Sequence, residues 1–510
     1  MPAVVDMYSD EKIWIAKGDE RVYLLPCMAN RHGLITGASG TGKTVTMRVL
    51  AESFSDAGVP VFFSDMKGDV GGVCKAGEDT VKMRGRAEKL GAEGFVFKGF
   101  PTVFWDVYGD CGHPVRTTVM SMGAPLLSRL MDLTNVQSDV LAMVFRICKD
   151  KGWDLIDSKD LVSVLQHIAQ NRNDYIAEYG NMSSQTLGAI QRSVRTLEDE
   201  GGGFFFGEPA LDIFDWIRVD ENGKGVLNVL NSERLSRSPK LYSTFMMWLI
   251  QELFERLPEA GDPEKPKLVF FFDEAHMLFS DAPKPVIQNI EQMVKLIRSK
   301  GVGIYFVSQS PSDIPDSVLA QLSNRVQHAL RAYTPAEQKS VRAAASSFRT
   351  NEKFKTETAI TELGVGEALV SCLDAKGIPS IVERAFVLPP QSSLNPLSQA
   401  EYEGIIRSSS YEAKYRERTE RQSAYEAMQK LQDEKRKEEA KAAESKAKAA
   451  PKSSGTSSAR GSTSKSSATK VAEKAISKAA TSAGREIGKG ILKGLFKKRR
   501  AGSVPVQRPY

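Results

Sequence analysis

Residues Gly37-Ala38-Ser39-Gly40-Thr41-Gly42-Lys43-Thr44 follow the pattern G-x-x-x-x-G-K-[ST]. Glycines at this spacing let successive backbone N–H groups turn inward around phosphate oxygens, where side chains would clash. A helix opening at Gly42-Lys43 aims its positive end at the same anion. Gly37, Ser39, Gly40, Thr41 and Gly42 then form a cradle, Lys43 reaches the β- and γ-phosphates of a nucleotide, and the Thr44 hydroxyl is a Mg²⁺ ligand. A Gly-rich turn before a helix is the plain alternative. The apolar run Gly33-Leu34-Ile35-Thr36 before the loop and the helix-like residues 45–51 after it supply the strand–loop–helix context that the pattern needs.

A second group follows in Leu268-Val269-Phe270-Phe271-Phe272-Asp273-Glu274. An apolar run of this kind predicts a strand buried on both faces, ending in two carboxylates. Asp273 is expected to hold Mg²⁺ through water opposite Thr44, and Glu274 to polarise an attacking water. An acid pair at a strand end is also found in solvated turns; the upstream phosphate loop decides against that here. Gln309 follows the apolar run Gly303-Ile304-Tyr305-Phe306-Val307 and is a candidate γ-phosphate sensor, or else part of an ordinary strand-ending turn. Residues 322–331 read as one strand, in which Arg325 and Arg331 share a face. Either could touch the γ-phosphate in its own subunit or across a subunit boundary, or be a surface arginine.

The rest of the chain must position these groups. It has 510 residues, of which 41% are hydrophobic, enough for a sizeable core. Residues 12–29 read as a β-hairpin. Residues 59–64 predict a second buried strand that delivers Asp65, Lys67-Gly68-Asp69 and Gly71-Gly72 to the edge where open α/β sheets bind ligands. Residues 95–119 read as a small β-insertion, and 122–200 as an all-helical insertion with caps near Thr134 and Ser158. Strands are expected again at 225–230, 366–372 and 380–388, with helices at 239–257 and 285–300. This is an α/β chain with a mainly parallel central sheet. The organisation expected is 1–30 as an N-terminal hairpin segment, 31–121 with 201–390 as the core, 122–200 as the insertion, 391–449 as a charged helix and 450–510 as a basic disordered tail.

Charge separates along the chain. Residues 441–510 hold 17 Lys/Arg against 3 Asp/Glu, a surplus of +14 that leaves residues 1–440 at −8 within the total of +6. The body alone would not attract a polyanion by its overall field; the tail would. Near its end Ile487, Ile491, Leu492, Leu495 and Phe496 fall near one helical face among lysines and glycines. That is a foot for an anionic membrane surface, a protein partner or DNA, or a solvated tail. Five scattered cysteines without C-x-x-C suit a reducing cytoplasm, and Cys111 with His113 lacks a second ligand pair for a metal. No transmembrane segment and no signal peptide is predicted.

Taken together, Arg31-His32-Gly33 running into the phosphate loop, Asp65-Met66-Lys67-Gly68-Asp69, Asp273-Glu274-Ala275-His276 and Ser308-Gln309 resemble the HerA-like branch of the FtsK–HerA ATPases. The resemblance spans residues 10–390 and includes Phe204-Phe205-Phe206-Gly207-Glu208-Pro209-Ala210. It implies a RecA-like P-loop NTPase fold, ATP hydrolysis with Mg²⁺, a homohexameric ring whose sites are completed by neighbours, and translocation on DNA. Within it Lys43, Thr44, Asp273, Glu274 and Gln309 match the phosphate ligand, the two metal-site residues, the base and the sensor. Arg331 matches a γ-phosphate arginine, and Arg31 a contact made in trans. The β-barrel that precedes the ATPase in archaeal HerA proteins, and the membrane helices and winged helix of FtsK proteins, are not matched. A nuclease or other protein partner therefore stays open. Two functions remain: an ATP-driven DNA motor, and an oligomeric ATPase switch or scaffold anchored by its basic tail.

Overall fold

The computed structural model describes residues 7–279 and 284–448. The chain divides into two units, Met1–Arg436 and Lys437–Tyr510. The second is described over residues 437–448, which are helical; the tail 450–510 and its apolar face lie outside the described residues.

The first unit is built on one sheet of thirteen strands among the described residues. In chain order they are β1 (Tyr8–Ser9), β2 (Lys12–Lys17), β3 (Arg21–Leu24), β4 (Gly33–Thr36), β5 (Val61–Asp65), β6 (Thr102–Asp106), β7 (His113–Pro114), β8 (Leu227–Asn231), β9 (Leu268–Phe272), β10 (Val302–Ser308), β11 (Asn324–Gln327), β12 (Glu367–Ser371) and β13 (Glu383–Val387). Their order is β1-β2-β13-β12-β11-β4-β10-β9-β5-β8-β6-β7, with β3 paired to β2. From β11 to β7 every pair is parallel; from β12 outward every pair is antiparallel. Register brings the parallel strands to a common edge: Ser308 lies opposite Thr36, Phe306 opposite Phe272, and Phe272 opposite Ser64.

Period-two alternation explains the two faces. Phe270 and Phe272 of β9 join a core with Leu34, Phe62, Ile304 and Phe306, while Val269 and Phe271 join a second core with Ile35, Phe63, Tyr305 and Val307. The second face is covered by α1 (Lys43–Asp56), whose Met47, Leu50 and Phe54 are buried. The first is covered by the helix Pro239–Arg256 and by five helices, Val119–Leu130, Asn135–Lys151, Ser158–Gln170, Asn173–Tyr179 and Ser184–Leu197. Capping boxes at Thr134/Gln137 and Asp157/Asp160 start two of these. Their apolar stripes run into the same core as Phe245 and Trp248, so the block is continuous with the sheet's packing.

Three sequence expectations are corrected. Residues 95–119 are no insertion: β6 and β7 form the outer edge of the parallel sheet, and the buried Trp105 donates from Nε1 to Asn228 Oδ1. Residues 391–449 are not one charged helix. Gln391, Ser392 and Ser393 are buried, helices Gln399–Ser408, Glu412–Tyr415 and Ala424–Lys448 are separate, and Tyr402, Ile406, Tyr411 and Tyr415 pack into the cores. The few apolar residues in that stretch are its anchors. The strand expected over 322–331 ends at Gln327, so Arg331 lies outside it and shares no strand face with Arg325. Among the described residues no helix is long and apolar enough to cross a membrane.

Candidate active site

The phosphate loop leaves β4 at the common edge and enters α1 through Gly42. Gly40 (φ 75°) and Gly42 (φ 122°) take backbone conformations that an L side chain resists. A Cβ on Gly42 would also meet Gly366 and His328 at 3.3 Å. The loop is braced from below: Ala38 N donates to Ala329 O (2.8 Å) and Gly366 N donates to Thr41 O (2.9 Å). His328 is buried under it, its Nδ1 donating to Glu367 O (2.9 Å) and its Nε2 accepting from the Thr46 hydroxyl (2.7 Å). Burial lowers the His328 pKa to about 4, so the ring is neutral and serves as a fixed strut. Lys43 is buried, and its Nζ donates to Gly37 O (2.7 Å) and Ala38 O (3.2 Å). Burial lowers its pKa, opposed first by the charge of Glu274.

β9 delivers the two acids. Asp273 is 3% exposed, and burial raises its pKa to about 6, opposed by Lys67. Its Oδ2 is buried without a hydrogen-bond partner. Such an orphaned carboxylate oxygen is costly unless a cation takes it. Among the described residues no three His, Cys, Asp or Glu converge on a metal. Mg²⁺ in a nucleotide site takes one or two protein oxygens and completes its shell with phosphates and water, so Asp273 and the Thr44 hydroxyl fit it. Glu274 has φ 47°, a strained conformation for a non-glycine residue that turns the chain sharply after the strand.

The structure adds a residue the motif reading left without a role. Lys67 donates from Nζ to Glu274 Oε1 (2.8 Å) and lies 3.9 Å from Asp273 Oδ2. It is aimed by a turn closed on the buried Asp65, whose Oδ1 accepts from the N–H of Gly68 (2.8 Å) and whose Oδ2 accepts from that of Val70 (3.0 Å). Burial would raise the Glu274 pKa; the Lys67 hydrogen bond and charge, with His276 and Lys43, hold it below its ordinary value. Lys67 is raised correspondingly, burial being outweighed by the same hydrogen bond and by both acids. The signal in the sequence was a lysine two residues past the strand that neighbours the Asp-Glu strand.

Gln309 is exposed directly after β10, between the phosphate loop and β9 at the shared edge. Asp313 braces that strand end, accepting from Ser308 Oγ (2.6 Å) and Ser310 N (2.8 Å). The arginines divide. Arg325 is not brought to the loop: its guanidinium donates to Leu322 O (3.0 Å), Leu319 O (3.1 Å) and Ser347 O (3.4 Å). Arg31 precedes β4 and sits at the opposite edge, 3.8 Å from Asp262 Oδ1. Arg331 is exposed just beyond β11.

A parallel sheet whose common edge carries a glycine cradle, a buried lysine and a strand-end acid pair defines the P-loop NTPases. The chain belongs to the family described as helicase HerA-like C-terminal, which matches residues 10–500. Among solved structures it is similar to the bacterial conjugative coupling protein TrwBΔN70, with 15% identity over 74% of this chain and 89% of that one, TM-score 0.48. The plasmid coupling protein TrwB in complex with ADP and Mg²⁺ gives 15% identity, 73% and 88% coverage and a TM-score of 0.48. VirB4 of Thermoanaerobacter pseudethanolicus gives 14% identity, 74% and 97% coverage and 0.47. No curated protein matches the chain.

Proposed function

We propose that this chain is a Mg²⁺-dependent ATP hydrolase that works as a homohexameric, cytoplasmic ring motor translocating or remodelling DNA. The observation that carries the hydrolase reading is Glu274: a carboxylate held ionised by Lys67, beside an orphaned Asp273 oxygen, two strands from the Lys43 loop. In this reading the loop N–H groups and Lys43 take the β- and γ-phosphates. Thr44 and Asp273 hold Mg²⁺, which when bound neutralises charge across the phosphates. Glu274 accepts a proton from the water that attacks the γ-phosphate, and Lys67 keeps the carboxylate charged and oriented until then. Gln309 contacts the γ-phosphate or the water. Arg331, exposed and outside its own sheet, contacts the γ-phosphate of a neighbouring subunit. Arg31 is a second contact in trans, and Arg325 is assigned to holding backbone.

The DNA reading rests on family membership and is tested by ATPase rate with and without double-stranded DNA on particles sized in solution. Stimulation by DNA on a hexamer supports it; full activity on monomers, indifferent to DNA, contradicts it. The charge split favours a second reading, an oligomeric switch or scaffold anchored by residues 450–510 to an anionic membrane or nucleic acid. An oligomer-dependent rate that DNA does not change, with binding lost on deletion of 450–510, supports that one.

A further inference from the structure

We infer that the cavity between α1, the helix Val81–Lys89 and the start and end of the β12–β13 hairpin is the nucleoside site, and that it holds a purine by apolar packing without reading its edge. The assignment rests on the ATP-hydrolase reading and specifies the other end of the same ligand.

Topology sets the direction. The γ-phosphate end must face Asp273 and Glu274 on β9, which lies on the β10 side of β4. A nucleotide cradled at Gly42–Thr44 therefore leaves the loop towards β11, β12 and β13. The cavity lies there. Gly42, Val45, Gly85, Arg86, Phe386 and Pro390 are among the residues that line it. Its volume is about 760 Å³, within the range of roughly 300–1,000 Å³ usual for small-molecule sites.

The lining carries a second, independent sign. Large apolar side chains are seldom left open to water in clusters. Here Val81 (93% exposed), Val365 (74%), Phe386 (47%) and Leu394 (40%) all border this one cavity. A flat aromatic ligand would cover them. Arg86 is already fixed: it donates to Gly366 O (2.8 Å) and Val387 O (2.9 Å), so the hydrogen bonds that hold it do not need the ligand. Its guanidinium also lies 5.9 Å from the Phe386 ring centre. The only charged side chains of the lining are Lys82, Arg86 and Lys89, and it has no carboxylate and no amide. Apart from the weakly accepting sulfur of Met83, no lining side chain can therefore accept a hydrogen bond from the amino group of adenine or guanine. Discrimination between such bases requires a site group left unpaired by the wrong one, so ATP and GTP should be used comparably.

Gly85 allows a clean test. It sits inside the helix Val81–Lys89, and a Cβ built on it meets nothing within 4 Å. Gly85→Phe should fill the cavity without strain, and replacing a helix-interior glycine favours the helix. Calorimetric titration with ADP, GDP and inorganic tripolyphosphate, each with Mg²⁺, is run on the full chain, on Gly85→Phe and on Phe386→Ala. The expected result for the native chain is ADP and GDP within about threefold of each other. Gly85→Phe should weaken both nucleotides at least tenfold and leave tripolyphosphate within twofold, with a smaller loss in Phe386→Ala. Nucleotide affinity unchanged in both variants overturns the assignment, as does parallel loss of tripolyphosphate. Loss of assembly with unchanged ADP affinity makes the cavity a subunit contact and overturns it too. A native chain that binds neither ADP nor tripolyphosphate overturns the hydrolase reading and this assignment together.

Discussion

Two buried acids lie on elements next to the phosphate loop, Asp273 directly after β9 and Glu52 on α1, and they differ in how their oxygens are satisfied. Asp273 has an oxygen without a hydrogen-bond partner, the Lys67 ammonium standing 3.9 Å from it. Glu52, on α1, accepts from the backbone N–H of Gln391 (2.7 Å) and of Ser392 (3.1 Å), with the Ser392 hydroxyl as a further donor, so both of its oxygens are engaged. Burial raises both pKa values, Asp273 to about 6 and Glu52 to about 7. The difference lies in what is left over. A buried carboxylate with all its bonds made is a clasp: Glu52, with Arg48 donating to Ser393 O and Asp69 O, ties the phosphate-loop helix to residues 391–393. A buried carboxylate with a bond missing fits the cation-holding role proposed for Asp273.

The comparison breaks or sharpens under four changes. Lys43→Ala should act most strongly, lowering kcat/KM for ATP by about 10²–10³-fold or more, because it removes a fixed charge from the phosphates. Retained ATP affinity in that variant would remove the loop from the account. The Mg²⁺ requirement should be steeply pH-dependent on the acid side. Asp273 must be ionised to hold the cation, so half-saturating Mg²⁺ should rise about tenfold per pH unit below about 6 and level off above it. A magnesium titration at pH 5 and pH 7.5 that gives one value would contradict the role of Asp273.

Lys67→Ala should cost about tenfold in kcat near neutral pH and move the acid limb of the rate profile upward, since burial then acts on Glu274 against the charges of His276 and Lys43 alone. The profile is the readout: lower activity with an unmoved limb would leave Lys67 a packing residue. Glu52 should give the smallest effect, on stability alone. Its native pKa is raised, so its contribution is fully present below the unfolded value near 4.5 and is lost as pH rises through about 7. Glu52→Gln should flatten the fall in Tm between pH 5 and pH 8. Glu52→Ala should cost about 1–3 kcal/mol from buried N–H groups left unpaired. Unchanged Tm in both variants would mean the clasp holds nothing.

The parallel half was legible in the sequence because its strands are uninterrupted apolar runs and its motifs are local. Asp273, Glu274 and Gln309 stand at the end of such a run, Lys43 and Thr44 follow one through the glycine loop, and the parallel register sets those strand ends on one edge. What was not legible depends on distant partners. Lys67 meets Glu274 across 207 residues. β6 looked like part of a small β-insertion because its neighbour β8 comes more than a hundred residues later. The segment after Pro390 read as a charged helix because its apolar residues are few, yet Tyr402, Tyr411 and Tyr415 are what bind it to the cores. The backbone bonds of Arg325 to Leu322 and Leu319 were not legible either, because residue parity gives a strand's face and not the partners of a long side chain.

The central claim is that Glu274 activates the water that attacks the γ-phosphate. Its most direct test is one experiment on purified full-length Glu274→Gln: ATP binding and phosphate release measured on the same sample beside the native chain. The account predicts ATP affinity within a few-fold of native and phosphate release slowed about 10²–10⁴-fold, the loss expected when a general base is removed. Release at the native rate, with binding intact, would contradict it.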